Sequence, residues 1–225
     1  KYAYKKPDLI IANSKKTAKD LNNYTNCKTK FIYPGAFNRL KKNKIIKNDI
    51  KNIIWIGRLS KEKGIKHLIL SLKDIDKKKY KLKIIGDGPL KNEIKKMIEE
   101  NNLSKNIHML GFKLDIFDDL KKSDLLINTS YFEGFPNVVI EALSCSVPVI
   151  CSRSGGGIFE ILEGKKHGDL FDLKNPKDLN LKIKNFLNNP TRLKKKAINA
   201  HQSLLRFDKR KSAKNYKKIF DNLKF

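Results

Sequence analysis

From Asn52 to Phe171 the chain repeats one unit: a short apolar run, a loop rich in glycine or charge, then a stretch of helical periodicity. Asn52 to Ile56 is the first such run, closed by Gly57, and Ile65 to Leu72 carries helical spacing. The series continues with a strand over Tyr80 to Ile85, a helix over Leu90 to Glu100, a strand over Ile107 to Leu110 and a short helix over Leu114 to Leu120. Leu125 to Asn128, Asn137 to Leu143, Val147 to Cys151, Ile158 to Leu162 and Asp169 to Phe171 complete it as strand, helix, strand, helix and strand. Strands that read as near-continuous apolar runs are buried on both faces, and a helix after each strand supplies the cover.

That alternation predicts an α/β fold with a parallel sheet, and right-handed crossovers make it a doubly wound, Rossmann-like domain. In such a sheet a ligand lies beyond the carboxyl ends of the strands, so the loops after the strands are where chemistry belongs. Upstream, Asp8 to Ala12 reads as a strand and Ser14 as the N-cap of a helix over Lys15 to Leu21. Lys30 to Tyr33 is a further strand, broken by Pro34-Gly35, and a Lys/Asn-rich stretch from about Asn38 to Lys51 reads as a linker. After Phe171 the pattern is wholly helical, over Asp178 to Leu187, Thr191 to Leu205 and Lys209 to Leu223. Ala213, Tyr216, Phe220 and Leu223 share one face of the last helix. Such a stripe suits a neighbouring domain or, with its lysines, a membrane surface.

Composition narrows the partners. Of 225 residues, 40% are apolar and 32% charged, a globular balance. No apolar run is long enough to span a bilayer, and the opening KYAYKKPDLIIANS lacks the h-region and cleavage site of a signal peptide. The start without Met fits a piece of a longer protein. A net charge of +27 has two readings, attraction to a polyanion or a lysine-rich solvated surface, and the even spread of lysines favours the second. No RNA-recognition consensus or zinc-finger spacing points to nucleic acid. The three cysteines, Cys27, Cys145 and Cys151, have no metal-ligand spacing, and an odd count argues against a disulfide framework. Cys145 and Cys151 flank an apolar run and read as buried, reduced thiols, which points to the cytosol.

Four post-strand loops carry the chemistry. In IIWIGRLSKEKGIKHLI, Gly57 ends a strand, Arg58 and Lys63 follow, and Gly64 opens a helix. Two cations beside free helix amides suit a diphosphate, although Lys and Arg are common in loops of so basic a chain. In IIGDGPLKNEI, Gly86, Asp87, Gly88 and Pro89 make a tight turn into a helix, but Lys91 stands where a dinucleotide fingerprint needs its third glycine. In HMLGFKLDI, Gly111 and Phe112 end a strand at the same edge, where an aromatic can support a base or plug the core. In SYFEGFPNVVIEALSCSVPVI, Glu133 lies in a loop tightened by Gly134, Phe135 and Pro136, the last suited to a helix first turn. Asn137 and Val138 offer helix N-terminal amides to a phosphate, and Glu141 follows one turn on. A carboxylate beside a phosphate site has no use for the phosphate, so it accepts from hydroxyls of a ribose or sugar. The plainer reading of either Glu alone is a cap or a helix N-terminal charge.

The succession GRLSKEKG, GDGP, LGF and EGFPNVVIEAL, with Glu133 and Glu141 eight residues apart, resembles the retaining GT-B glycosyltransferases of family 4. SRSGGGIFEILEGKKHGDLF resembles the segment that closes their donor domain. The resemblance implies transfer of a hexose or N-acetylhexosamine from a nucleoside-diphosphate sugar, a UDP-sugar first, to a glycan or lipid-linked acceptor, with no cofactor and no bound metal. It implies that Arg58, Lys63 and Glu133 are catalytic, the cations on the diphosphate and Glu133 on the donor sugar. Gly57, Gly111, Phe112, Gly134, Phe135, Pro136, Asn137, Val138 and Glu141 would line the nucleotide-sugar site, with Glu141 on the ribose. Residues 1–36 would then end an acceptor domain, 37–51 link it, 52–205 form the nucleotide-sugar domain and 206–225 cross back toward the first domain. None of His67, His108, His167 and His201 sits in a motif matching the histidine that such acceptor domains often carry. The expected location is the cytoplasm, with docking on an anionic inner membrane face. The competing expectations are a nucleotide-binding fragment without turnover and a basic nucleic-acid binder.

Overall fold

The computed structural model describes residues 7–25, 27–40 and 49–222. Most of the expected linker and Leu223 of the expected last helix lie outside them. Six strands form one parallel sheet: β3 (Lys51–Ile56), β4 (Tyr80–Ile85), β5 (Ile107–Met109), β6 (Leu125–Asn128), β7 (Val149–Ser152) and β8 (Asp169–Phe171). Upstream, β1 (Ile10–Ala12) and β2 (Thr29–Phe31) pair in parallel as a separate two-stranded sheet around α1 (Lys15–Tyr24).

The large sheet runs β5-β4-β3-β6-β7-β8. The chain therefore starts in the middle, winds outward one way, returns, and winds outward the other way, as the doubly wound reading expected. The reversal falls between β3 and β6, registered by Ile53 opposite Leu125 and Ile54 opposite Leu126. In a doubly wound sheet such a switch point, between the loops that leave β3 and β6, is where a ligand is expected.

Alternate residues of each strand feed two cores. Ile53, Trp55, Leu82, Ile84, Leu125, Ile127, Ile150 and Phe171 face one, and Ile54, Ile85, Leu126, Val149, Cys151 and Leu170 face the other. The first is covered by α2 (Ile65–Leu72), α3 (Lys91–Glu100) and α7 (Pro176–Asn188), and the second by α5 (Asn137–Ser144), α6 (Ile158–Ile161) and α9 (His201–Leu204). Burial on both faces is why the strands show runs in place of alternation.

Several boundaries moved, each for a local reason. The helix expected over Leu114 to Leu120 is α4 (Phe117–Lys121); Asp115 accepts the Phe117 amide at 2.8 Å ahead of it, and Leu114 stands 95% exposed. The strand expected from Val147 starts at Val149, because Pro148 has no N–H and gives only its carbonyl, to the Leu126 amide. The helix expected over Thr191 to Leu205 is divided into α8 (Thr191–Asn199) and α9 (His201–Leu204), followed by a 3₁₀ turn at Leu205–Phe207. Ser14 caps α1 as read, accepting from the Thr17 amide at 3.0 Å. The last helix, α10 (Lys209–Phe220), buries none of its residues, and Tyr216 and Phe220 stack on its surface.

Glu160 of α6 ties the small sheet to the large one. Its carboxylate accepts the Lys15 and Lys16 amides at the start of α1, at 3.1 and 2.9 Å, and the Tyr33 hydroxyl at 2.8 Å. Burial, then the bond to Glu160, pushes the Tyr33 phenol well above its ordinary value.

Charged clusters elsewhere set the acid limit of the fold. Burial works to raise the carboxyls of Asp119 and Asp169, but Lys113 with Lys83, and Arg192 with Lys196, outweigh it and hold both below the usual range. Glu163 is brought down to about 2, chiefly by the Ser203 hydroxyl, with Lys166 and Arg206 adding to it. A depressed carboxyl stabilises the fold fully above its unfolded value, about 4, and loses that contribution as pH falls toward the folded value. Thermal melts are therefore expected to soften below about pH 6.5, where burial keeps His67, His167 and His201 from taking the proton that the unfolded chain takes, and to fall steeply between about pH 4 and pH 2. A melting temperature unchanged down to pH 2.5 would contradict this role.

Candidate functional site

The site is assembled at the carboxyl edge of the large sheet, where backbone bonds join the post-strand loops. After β3, Gly57 donates its amide to the Ile85 carbonyl at 3.0 Å and Leu59 to that of Asp87 at 2.9 Å. Leu90 donates back to the Leu59 carbonyl at 2.9 Å, and Gly86 to that of Gly111 at 2.8 Å. The loops after β3, β4 and β5 are thus bonded to one another through their backbones. Gly86 is required by this contact: at φ +141° a Cβ would lie 1.8 Å from the Gly57 carbonyl oxygen. The GDGP turn is explained by that close approach.

A cleft of about 440 Å³ opens between these loops, lined by Ile56, Gly57, Arg58, Gly86, Phe112 and Ile116 among others. Phe112 is 70% exposed at its mouth, so it does not plug the core. Lys113, which also lines the cleft, is held by Asp119 at 2.6 Å. Gly57 and Arg58 of the first loop and Phe112 of the third therefore share one cavity, whose lining does not include Lys63 or Gly111.

Across the switch point Lys63 and Glu133 meet. Lys63 closes a 3₁₀ turn (Lys61–Lys63), and its Nζ donates to Glu133 Oε1 at 2.8 Å. Their side chains are 27% and 11% exposed, so this is a largely desolvated ion pair. The sequence reading assigned the two to different parts of a ligand; here they hold each other. An ammonium has three donors, so the pair leaves two for a ligand.

The Glu133 loop is clamped from below. Gly157 donates its amide to the Gly134 carbonyl at 2.9 Å, and Phe135 is buried against Tyr33 and Phe207 with ring centroids 5.6 and 5.4 Å away. Pro136 takes the N-cap position of α5, one residue before the first turn expected for it. Asn137 is exposed and Val138 half-buried at the start of that helix, where the first amides have no carbonyl within it to bond. Glu141 is half-buried on the same helix.

Three hydroxyl residues of the site escaped sequence reasoning. Ser130 Oγ donates to Glu133 Oε1 at 2.6 Å. Thr129 Oγ1 receives the Trp55 indole N–H at 3.0 Å and donates to the Lys63 carbonyl at 2.8 Å. Ser152 Oγ donates to the Ser130 carbonyl at 2.5 Å. The available signal was position alone: hydroxyls at the end of β7 or directly after β6, whose loop carries Glu133. Burial, with the Glu133 charge second, pushes the Cys151 thiol far up, and Cys145 and Cys151 are buried and in no disulfide, as read. Among the described residues no group of three or more His, Cys, Asp or Glu is placed to hold a metal ion, and no helix is long and apolar enough to cross a membrane.

Known proteins share this architecture. The family model described as glycosyl transferases group 1 matches residues 37–203. An uncharacterized glycosyltransferase of Methanocaldococcus jannaschii is 32% identical over 99% of this chain and 62% of its own length. An N-acetylgalactosamine-N,N'-diacetylbacillosaminyl-diphospho-undecaprenol 4-alpha-N-acetylgalactosaminyltransferase of Campylobacter jejuni is 32% identical over 94% of this chain and 60% of its own. The crystal structure of Anabaena HepE in complex with UDP-glucose superposes with a TM-score of 0.87 at 25% identity, over 98% of this chain and 65% of that one. The chain thus spans about three fifths of the length of these relatives. With the family model matched across most of its length, this chain belongs to the group 1 glycosyl transferases.

Proposed function

We propose that the chain is the donor-binding part of a retaining, metal-independent glycosyltransferase of the GT-B type, family 4. It transfers a hexose or N-acetylhexosamine from a UDP-sugar to a glycan or lipid-linked acceptor. The observation that carries this reading is the Lys63–Glu133 pair, which joins the loops after β3 and β6 across the switch point, just ahead of the N-terminus of α5.

On this reading the base enters the cleft lined by Gly57 and Phe112, with Gly111 next to Phe112 in the chain, and Glu141 accepts from the ribose. The diphosphate lies against the Asn137 and Val138 amides, with Arg58 and Lys63 neutralising the charge that grows as the sugar leaves. Glu133 accepts hydroxyls of the donor sugar, and Gly134, Phe135 and Pro136 hold the loop to its curve. Two cations and a helix end supply fixed positive charge where the leaving diphosphate needs it, which is the electrostatic task of this catalysis. UDP is favoured because the Anabaena structure holds UDP-glucose at 25% identity. A lipid-linked acceptor is favoured by the undecaprenol in the name of the Campylobacter relative. Such an acceptor places the enzyme at the cytoplasmic membrane face, where a chain of net charge +27 meets anionic lipid.

The test is incubation with UDP-glucose or UDP-N-acetylglucosamine and a polyprenyl-diphosphate-linked N-acetylhexosamine in excess chelator. The expected result is UDP release that matches glycosylated lipid, with the α configuration kept in the proton spectrum of the product. UDP binding without release from any donor would favour a nucleotide-binding module without turnover, and an inverted product would refute retention.

A further inference from the structure

The ion pair alone does not orient its carboxylate. An ammonium is a near-isotropic point charge and donates to either carboxylate oxygen from a range of directions. A hydroxyl on a strand end has one proton and a fixed origin, so it selects. Both recorded hydrogen bonds to Glu133, from Lys63 Nζ and from Ser130 Oγ, fall on Oε1, and neither falls on Oε2. Ser130 keeps 1% exposure, and its backbone is fastened to β7 through Ser152. The preceding residue, Thr129, is fully buried and holds the Lys63 backbone from the same strand end. Consecutive residues after β6 thus fix both members of the pair.

We propose that Ser130 is a positioning residue for the donor sugar: by saturating Oε1 of Glu133 together with Lys63, it presents Oε2 to the sugar hydroxyls. The inference rests on the reading of Glu133 as the sugar contact. It goes further in assigning one oxygen to the substrate and one to the protein. A serine that only satisfied a buried carboxylate would affect stability and leave recognition of the sugar unchanged.

The discriminating quantity is the ratio of the UDP dissociation constant to that of the UDP-sugar, which isolates what the sugar adds. Calorimetric titration of the chain with UDP, UDP-glucose and UDP-N-acetylglucosamine supplies it for the wild type, Ser130→Ala and Ser130→Thr. Ser130→Ala is expected to keep UDP affinity within about twofold while lowering the ratio about tenfold for the sugar that the wild type prefers. Ser130→Thr keeps the hydroxyl and is expected to hold the ratio within about threefold. Ser130→Cys, nearly isosteric and a weak donor, is expected to follow alanine and carries the test if the alanine variant does not fold. A ratio unmoved in Ser130→Ala and Ser130→Cys, with only the melting temperature lowered, would overturn the inference while leaving the proposed function standing. A wild-type chain that bound no nucleoside diphosphate would overturn the proposed function and this inference with it.

Discussion

Lys63→Ala is expected to weaken UDP binding at least tenfold and to cost the fold about 2–3 kcal/mol in urea denaturation. Both effects follow from one geometry. Glu133 is 11% exposed and takes its charged partner at 2.8 Å, so removing the ammonium leaves a poorly hydrated carboxylate on which, among the described residues, the Ser130 hydroxyl alone remains. The stability loss is set at the low end of values for broken buried pairs because Lys63 itself is 27% exposed. Adding Glu133→Gln removes the stranded charge. The double variant is expected to recover most of the stability and none of the UDP affinity. If it recovers affinity too, Lys63 is a structural partner of Glu133 and no part of a diphosphate site.

Gly156→Ala is expected to cost about 3 kcal/mol or more and to abolish binding of the UDP-sugar. Gly156 has φ +55°, and a Cβ there would lie 1.9 Å from the carbonyl oxygen of Glu133 and 2.8 Å from that of Gly134. Backbone cannot yield as a side-chain tip can, so the Glu133 loop must move. Its neighbour supplies the control. Gly155 has φ +77° with open space where its Cβ would stand, so Gly155→Ala bears only the left-handed backbone cost of about 1 kcal/mol. Equal losses at the two positions in chemical denaturation would mean that the SGGG loop does not brace the Glu133 loop.

These two expectations divide along what the sequence could disclose. The alternation from Asn52 to Phe171 carried the parallel sheet because burial on two faces leaves a mark at every strand position. The same alternation located the loops, since a doubly wound sheet sends every post-strand loop to one edge. Leu114 misled for the converse reason: it continues an i, i+3 spacing with Phe117 and Leu120, yet only Leu120 is buried. Which groups meet at the edge was much harder to read. Lys63 and Glu133 are 70 residues apart, and nothing in either local pattern says that one holds the other. Thr129, Ser130 and Ser152 are isolated small polar residues, whose meaning comes from the place of β6 between β3 and β7. Gly156 stands in the sequence only as part of SRSGGGIFEILEGKKHGDLF, and its close approach to the Glu133 carbonyl is set by the fold.

The Lys-rich surface also divides more finely than the net charge suggested. Lys83 and Lys113 converge on Asp119, and Lys196 with Arg192 on Asp169, so part of the excess cation is spent inside the fold. On α10, by contrast, Lys209, Arg210, Lys211, Lys214, Lys217 and Lys218 all stand exposed.

Calorimetric titration with UDP, GDP and ADP at moderate salt, on the wild type and on Lys63→Ala and Glu141→Ala, tests the donor site most directly. The expected result is selective micromolar-to-millimolar binding of UDP, lost in Lys63→Ala and weakened in Glu141→Ala. Equal, salt-labile binding of all three nucleotides, untouched by Glu141→Ala, would contradict it and reduce the site to the general basicity of the chain.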